Sequence, residues 1–352
     1  MSSTPTRVLY RQPEFPIFQN RMYDTAAEAV ACPRGDIELV EEPSSGLVFN
    51  AAFDPARMVY DRHYQNEQAV SPAFRAHLEE VAGVVERGLG REGLVEVGCG
   101  KGYFLELLAS RGFDLVGFDP TYEGRNPRIH ARYFGPGEGL RARGLVLRHV
   151  LEHIRDPYAF LALLRDANGG SGRIYVEVPC LDWILAHRAW FDVFYEHVNY
   201  FRLADFHRMF GRVDSAQRLF GGQYLGVVAD LATLRPPCAD EADRAVLPPD
   251  FGRVARSPGE AGPVVVWGGA SKGVIFALLR ARAGCPVDVV IDLNPAKQGK
   301  YLAATGLRVQ SPEEALAVLP AGSAIYVMNS VYLPEIRRMS GDRHRYLEVD
   351  HG

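Results

Sequence analysis

The sequence predicts an α/β protein with a doubly wound parallel sheet, a small N-terminal lobe before it and a second α/β unit after it. From residue 71 onward, short apolar segments alternate with segments of helical periodicity, which is the rhythm of βαβ units. Twice, an apolar segment leads directly into a Gly-rich turn and then into a helix. The length of 352 residues also exceeds one ordinary domain.

These patterns divide the chain into four parts. Residues 1–70 form the N-terminal lobe, with strands predicted at 36–40 and 46–49. Residues 71–235 form the central domain. Residues 236–262 are a polar linker with several prolines. Residues 263–352 form a C-terminal Rossmann-like domain.

In the central domain, Ser71 and Pro72 are typical of a helix start, and apolar residues follow at helical spacing. Predicted strands of this domain lie at 94–97, 115–118, 145–150 and 174–178. The C-terminal domain has predicted strands at 264–267, 287–291 and 324–328, and predicted helices at 271–282 and 312–318.

Composition excludes several function classes. The net charge of −4 and the scattered Lys and Arg residues argue against nucleic-acid binding. No apolar run reaches the roughly 18–20 residues of a membrane span, and the N-terminus lacks a secretory signal. We therefore expect a soluble, cytoplasmic protein without a membrane partner. The five cysteines are widely spaced, so neither disulfides nor a cysteine zinc site is expected.

The first Gly-rich turn points to a cationic nucleoside ligand. It reads Glu96-Val97-Gly98-Cys99-Gly100-Lys101-Gly102, with Tyr103 where the dinucleotide fingerprint needs glycine. An acid entering the turn suits the α-amino group of a sulfonium amino acid and gives no advantage with a diphosphate. Asp119 ends the next predicted strand, where an acid can accept hydrogen bonds from ribose hydroxyls.

These features resemble the class I S-adenosylmethionine methyltransferases. The turn matches their first motif, Asp119 matches their ribose-binding acid, and residues 148–154 are similar to their fourth-strand motif. The resemblance implies a class I methyltransferase sheet and S-adenosylmethionine as cofactor. The implied cofactor-binding residues are Glu96, Gly98, Cys99, Gly100, Gly102, Asp119, Pro120, His149 and Leu151.

The whole chain also resembles the three-part C-methyltransferases of nucleotide-linked deoxysugars, which have an N-terminal zinc lobe and a C-terminal Rossmann-like domain. The matching segments are residues 194–201, 267–273, 292–301 and 328–330. Two departures occur. The family's zinc-binding Cys pairs are missing, with Glu42-Pro43-Ser44-Ser45-Gly46 in place of the second pair, so no metal is expected. The family's Tyr-x-Glu-His motif begins here with Phe194, and Tyr195 follows it.

Methylation at carbon requires a base, because the carbon next to a ketone must lose a proton before it attacks a methyl group. His197 is suited to this role near neutral pH, and its neighbour Glu196 could orient it. Tyr195 or Tyr200 could then donate a hydrogen bond to the enolate oxygen.

His149 and His153 stand four residues apart, as metal ligands on a helix can, but no third ligand is evident.

The second Gly-rich turn is compatible with more than one function. Gly268, Ala270 and Gly273 form a degenerate dinucleotide fingerprint followed by Asp292, so the chain could be an NAD(P)-dependent oxidoreductase. The family resemblance instead implies that this domain holds the nucleotide end of a nucleotide-sugar substrate, with Lys272, Ser271 and Asn329 as binding residues. The sequence is also compatible with O- or N-methylation of a small metabolite and with a non-catalytic binding protein.

Overall fold

The structure is a computed structural model that describes residues 6–58, 71–254 and 262–350. These residues contain three β-sheets, one in the N-terminal lobe, one in the central domain and one in the C-terminal domain. No helix in this part of the chain has the length and apolarity needed to cross a membrane.

The N-terminal lobe is a four-stranded antiparallel sheet that takes one strand from the central domain. Its own elements are β1 (Arg7–Pro16), α1 (Ala26–Val30), β2 (Arg34–Glu41) and β3 (Val48–Asn50). The fourth strand is Asn199–Tyr200, which pairs with β3. The strand predicted at 36–40 is confirmed within β2, whereas the one predicted at 46–49 begins two residues later.

Strand β1 was not predicted because its sequence contains two prolines and alternates poorly. Both features are tolerated here, since β1 lies at the edge of the sheet and its pairing with β2 has irregularities at Val8/Tyr10 and Gln12/Phe15.

The central domain contains a seven-stranded sheet flanked by helices. Its elements are α2 (Pro72–Leu89), β4 (Leu94–Val97), α3 (Tyr103–Ser110), β5 (Leu115–Phe118), β6 (Ile129–His130), β7 (Gly144–Arg148), α4 (Pro157–Ala167), β8 (Arg173–Pro179), α5 (Leu181–Ala186), β9 (Asn199–Tyr200, the strand shared with the lobe), α6 (Leu203–Met209), β10 (Val213–Leu219) and β11 (Tyr224–Asp230). Strands β4 and β5 fall where predicted, and β7 and β8 overlap their predicted ranges. The Ser71 hydroxyl caps α2 as predicted, by accepting from the amide of Ala73.

The strand order of this sheet is β10-β11-β8-β7-β4-β5-β6. Strands β4 to β8 pair in parallel, while β11 is antiparallel to both β8 and β10. This is the class I methyltransferase arrangement. The order in which strands are added reverses at β4: β5 and β6 follow on one side of it, and β7 and β8 on the other. In such sheets, ligands bind in the crevice at the carboxyl ends of the two strands where the order reverses, here β4 and β7.

The C-terminal domain is a five-stranded parallel sheet of order β14-β13-β12-β15-β16. Its elements are β12 (Val265–Trp267), α7 (Lys272–Arg282), β13 (Val289–Ile291), β14 (Val309–Gln310), α8 (Pro312–Val318), β15 (Ala324–Val327), α9 (Leu333–Ser340) and β16 (Arg345–Glu348). It packs on the central domain through α7, where Phe276 stacks on Trp190 with ring centroids 5.7 Å apart.

The segment between the two large domains is irregular. Residues 236–254 contain no helix or strand, and 255–261 lie outside the described residues. The described part is nonetheless anchored. The amide of Ala245 donates to Glu41 of the lobe at 3.0 Å, and Arg202 donates to the carbonyl of Asp243 at 3.0 Å.

At Gly35, strand β2 of the lobe packs directly against Tyr195 of the central domain. A Cβ atom built on Gly35, in β2, would overlap the ring of Tyr195, which is fully buried. We therefore expect Gly35→Ala to lower the free energy of unfolding by about 1–3 kcal/mol, because the ring has no space to move into. Denaturant unfolding measures this. Gly137→Ala is the control, since a Cβ there meets nothing within 4 Å; an equal effect of both changes would contradict the packing described.

Candidate active site

The first Gly-rich turn lies between β4 and α3, at the crevice of the central sheet. Gly98 has a φ of +73°, and a Cβ there would overlap Val150. Gly100 has a φ of +54°, yet a Cβ there would meet nothing within 4 Å. The backbone of the turn is thus packed on one side and faces open space at Gly100. Gly102 follows as the residue that caps α3.

Glu96, the acid that enters the turn, is buried and incompletely paired. Its side chain is 3% exposed, and its Oε2 atom has no hydrogen-bond partner. Burial raises the pKa of Glu96 to about 8, although the nearby Arg148 acts in the opposite direction. A buried carboxylate oxygen without a partner is costly unless a ligand completes its hydrogen bonding.

Asp119 follows β5 and is already engaged with its own turn. It accepts from the amide of Gly100 at 2.8 Å, and from the amide and hydroxyl of Thr121 at 2.8 and 2.7 Å. A carboxylate has about four acceptor positions, so Asp119 keeps room for about one more donor. The predicted contact with two ribose hydroxyls therefore requires a rearrangement of these bonds.

The buried carboxylate of Glu177, at the end of β8, joins several elements behind this turn. It bonds His77 of α2 at 2.8 Å, Arg148 at 2.8 Å and the hydroxyl of Tyr175 at 3.0 Å. Burial alone would raise its pKa, but Arg148 and the two bonded histidines hold the pKa of Glu177 well below its ordinary value. The sequence alone assigned no role to Glu177 or to Arg148.

His149 lies between two carboxylates and not against the open turn. Its Nδ1 atom is 3.3 Å from Glu152, and its Nε2 atom is 3.2 Å from Glu177. Burial alone would lower its pKa, but these two acids raise the pKa of His149 to about 9, so the ring is protonated at neutral pH. Its φ of +51° is unusual for a residue other than glycine. This arrangement makes His149 an electrostatic link between neighbouring acids, in place of the predicted cofactor contact.

Three other predicted cofactor residues differ in exposure. The Leu151 side chain is fully buried in the main core. Cys99 is also buried, and its sulfur lies beside Gly117 on the adjacent strand. Pro120 is exposed next to Asp119. Any contact of Leu151 or Cys99 with a ligand at the turn would therefore come from the backbone.

The predicted catalytic segment is held by the N-terminal lobe. The Glu196 carboxylate accepts from the amide of Gln19 at 2.8 Å, so it is directed to the lobe. The Tyr195 hydroxyl accepts from the amide of Asp54 at 2.9 Å. The Tyr200 hydroxyl bonds the amide and carbonyl of Phe194, both at 2.9 Å. The structure thus places Glu196 against the lobe and both tyrosine hydroxyls against backbone groups, and the predicted roles of these residues in catalysis stay predictions.

His197 packs instead among rings and near Glu152. Its ring centroid is 5.0 Å from those of His153 and Phe194, and its Nδ1 atom has no hydrogen-bond partner. Burial lowers the pKa of His197 to about 3, helped by the neighbouring His153. The ring is therefore neutral at pH 7. Glu152, His153 and His197 offer ligand atoms that all lie within 4.8 Å of one another.

Lys272, at the start of α7, spans the interface between the domains. Its Nζ atom is 3.0 Å from Asp192 and 2.6 Å from Gln223, and it lies 4.9 Å from the ring of Trp183. Gln223 in turn forms two hydrogen bonds of 2.9 Å with the side chain of Asn329. Lys272 and Asn329 therefore hold the two domains together, which differs from the predicted contact with a substrate phosphate.

Ser271 is also engaged across an interface. Its hydroxyl donates to Asn20 of the N-terminal lobe at 2.9 Å, and its φ is +36°. Asp292 accepts from the amides of Gly269 and Asn294, each at 2.8 Å, and lies 3.5 Å from Lys297. The second Gly-rich turn is thus occupied by the chain's own groups.

Residues 60–214 match the family described as a methyltransferase domain. Part of the chain is 34% identical, over 108 residues, to the ubiquinone biosynthesis O-methyltransferase of Ruegeria pomeroyi; the match covers 25% of this chain and 43% of that protein. The chain thus spans less than half the length of this curated relative.

Solved structures of methyltransferases overlap the same region. A Burkholderia thailandensis 1,6-didemethyltoxoflavin-N1-methyltransferase is 16% identical, with a TM-score of 0.34, and covers 44% of this chain and 78% of its own. An S-adenosylmethionine-dependent methyltransferase from Archaeoglobus fulgidus is 19% identical, with a TM-score of 0.32, and covers 44% of this chain and 94% of its own.

S-adenosylmethionine is the cofactor that this methyltransferase domain takes, and the residues of the turn fit it. The unpartnered oxygen of Glu96 suits its α-amino group, the open space at Gly100 leaves room beside the backbone, and Asp119 follows at the ribose position.

Cofactor affinity should depend on the ionisation of Glu96. Because burial raises its pKa to about 8, the acid is mostly protonated and neutral below that pH. It must lose its proton before it can pair with an ammonium group, and the free-energy cost of losing that proton weakens binding at low pH. Between about pH 6.5 and pH 8, the affinity for S-adenosylmethionine should therefore rise roughly tenfold. Calorimetry at several pH values measures this.

Two variants check the assignment to Glu96. Glu96→Gln should bind about 10- to 100-fold more weakly and lose most of the pH dependence. Glu92→Gln, at an exposed acid before β4 and at the opposite end of that strand from the turn, should behave like the wild type. An affinity that is constant with pH in the wild type would show that Glu96 is already ionised or is not the group that binds the amine.

The interface role of Lys272 predicts a stability effect. Lys272→Ala would leave Asp192, which is 6% exposed, without its cation, so the free energy of unfolding should fall by about 3 kcal/mol. Lys300→Ala is the control, because Lys300 and its partner Asp24 are both largely exposed and such pairs contribute about 1 kcal/mol or less. Unchanged stability with a higher substrate KM would instead support the phosphate contact.

Proposed function

We propose that this protein transfers the methyl group of S-adenosylmethionine to a carbon next to a ketone, in a nucleotide-linked sugar or a similar small metabolite, with His197 as the general base. The match to a methyltransferase domain and the Gly-rich turn support methyl transfer from S-adenosylmethionine. The acceptor and the base are our inference. The three-part arrangement of sheets supports a substrate held between the methyltransferase domain and the C-terminal domain.

One observation carries the proposal for His197. It is a neutral imidazole whose Nδ1 atom has no partner, in a segment next to the carboxyl ends of the central strands. Contacts connect it to the turn side, from His153 and Glu152 to His149 and Glu177. With a pKa of about 3, the ring is a weak base before substrate binds. To act as the general base it therefore needs the nearby Glu152 carboxylate to stabilise the imidazolium that forms.

In this proposal, Glu96 and the Gly-rich turn position the cofactor, and His197 accepts the proton. S-adenosylmethionine supplies a methyl group that its sulfonium already activates. Glu96 and the turn hold the cofactor in line with the acceptor, which removes much of the entropic barrier. His197 receives the proton of the acceptor carbon. Because the Tyr195 and Tyr200 hydroxyls bond backbone groups, the enolate oxygen needs another partner. Tyr224, whose ring is 4.6 Å from that of His149, is a candidate.

O- or N-methylation of a small metabolite is the second candidate. Two observations favour it, namely the engaged tyrosine hydroxyls and the similarity of part of the chain to an O-methyltransferase. A heteroatom nucleophile needs less help from a base than a carbon does. An oxidoreductase function lacks comparable support, since Ser271 and Lys272 at the second Gly-rich turn bond residues of the other two domains.

The base proposal is tested with His197→Asn and a nucleoside-diphosphate-linked keto-deoxysugar as the acceptor. Turnover should fall by about 10²–10⁴-fold, with cofactor affinity near the wild-type value, because the amide cannot accept the proton. Deuterium exchange at the carbon next to the ketone, followed by NMR, should fall in parallel.

His207→Asn is the matched control, because His207 is exposed on α6. It should retain both turnover and exchange. Methyl transfer by the wild type without any exchange at the α-carbon would rule out carbon methylation and leave O- or N-methylation as the function.

A further inference from the structure

Glu152, His153 and His197 also form a set of metal-ligating side chains. Their ligand atoms lie within 4.8 Å of one another. Two of these side chains have unpaired atoms. Glu152 is 1% exposed and its Oε2 atom has no partner, and the Nδ1 atom of His197 has none either. Two buried acceptors without donors, side by side, are costly unless a cation or a donor lies between them.

Neighbouring groups orient two of the three side chains, His153 and Glu152. The Nδ1 atom of His153 is 2.8 Å from the carbonyl of Glu196, so it carries the hydrogen and the Nε2 atom keeps the lone pair. The other oxygen of Glu152, Oε1, lies 3.3 Å from the Nδ1 atom of His149. Backbone carbonyls and charged groups behind the ligands are typical of metal sites, because they fix the tautomer and the direction of each ligand.

We propose that Glu152, His153 and His197 bind one divalent cation. Two imidazoles and one carboxylate suit Zn²⁺, Co²⁺, Mn²⁺ or Fe²⁺ better than Mg²⁺ or Ca²⁺, which prefer oxygen ligands alone. Bonds of about 2.1 Å place ligand atoms roughly 3–4 Å apart, so small side-chain shifts complete the set. Three protein ligands leave coordination positions open for a small molecule. The site differs from the pair His149 and His153, because His149 is held by two acids.

The position of the cation gives it a role in methyl transfer, and this part rests on the O-methylation candidate described under the proposed function. The set lies next to His149 and Glu177, at the end of the sheet that carries the cofactor turn. An acceptor hydroxyl bound to the cation releases its proton to solvent more easily. Its oxygen then attacks the methyl carbon, the carbon–sulfur bond breaks, and the electron pair of that bond remains on sulfur.

The substrate class follows from these open positions. A molecule with two adjacent oxygens, one of them an ionisable hydroxyl, could occupy both positions and present one oxygen to the methyl group. His197 is then a ligand while the cation is bound, and no base is required. This inference develops the O-methylation candidate and separates it from the carbon-methylation proposal.

The test uses full-length protein without a tag, freed of metal by a chelator and then dialysed. Zn²⁺ is titrated by calorimetry and Co²⁺ by visible absorption, and one equivalent per chain should bind. Glu152→Gln and His197→Asn should each weaken binding at least tenfold, with His153→Gln as a further variant if either fails to fold. Glu313→Gln and His207→Asn, at exposed positions, should bind like the wild type.

Catechol is the probe for the open positions. Added to the Co²⁺-loaded protein, it should shift the visible spectrum, because its two oxygens replace water on the metal. Wild-type protein that binds much less than one equivalent, or variants that bind as tightly as the wild type, would overturn the metal site. An unchanged spectrum with catechol would overturn the assignment of the substrate class.

Binding of S-adenosylmethionine to the same metal-free protein keeps the two proposals separate. Intact cofactor binding without metal binding would reject the cation site and leave the methyltransferase function. Metal binding without cofactor binding would reject the methyltransferase function and leave the cation site.

Discussion

The site depends on one buried carboxylate, that of Glu177. A carboxylate in this environment costs several kcal/mol unless donors and cations surround it. Those partners come from three places, His77 of α2, Arg148 and His149 at the end of β7, and Tyr175 within β8. Pairing therefore fixes the helix against the sheet and also fixes the ends of two central strands, beside the Gly-rich turn.

The effects of this pairing extend in two directions. On one side, Arg148 partly offsets the influence of burial on Glu96, the acid at the Gly-rich turn. On the other side, the protonated His149 holds Glu152, and Glu152 sits with His153 and His197. The cofactor site and the acceptor site thus belong to one connected set of charges. A change in any member is expected to alter the pKa values of the others.

Sequence reasoning succeeded where structure follows from local rules. The turn around Gly98 and Gly100 requires backbone conformations that glycine adopts easily, and the strands beside it are short apolar runs. It failed where the partner is distant in the chain. His77 and Glu177 are 100 residues apart, and a lone polar residue in an apolar pattern does not reveal its partner. Likewise, nothing near Lys272 in sequence indicates Asp192, and nothing near Tyr195 indicates the amide of Asp54.

The N-terminal lobe contributes to the acceptor site through shared structure. Its sheet is completed by Asn199–Tyr200, and its backbone binds the Tyr195 and Glu196 side chains from the same segment. The lobe is therefore not structurally independent of the central domain. If this lobe were exchanged for another by recombination, the exchanged piece would have to bring residues 195–200 with it, or the hybrid would lose both the edge strand of the lobe sheet and the partners of the Tyr195 and Glu196 side chains.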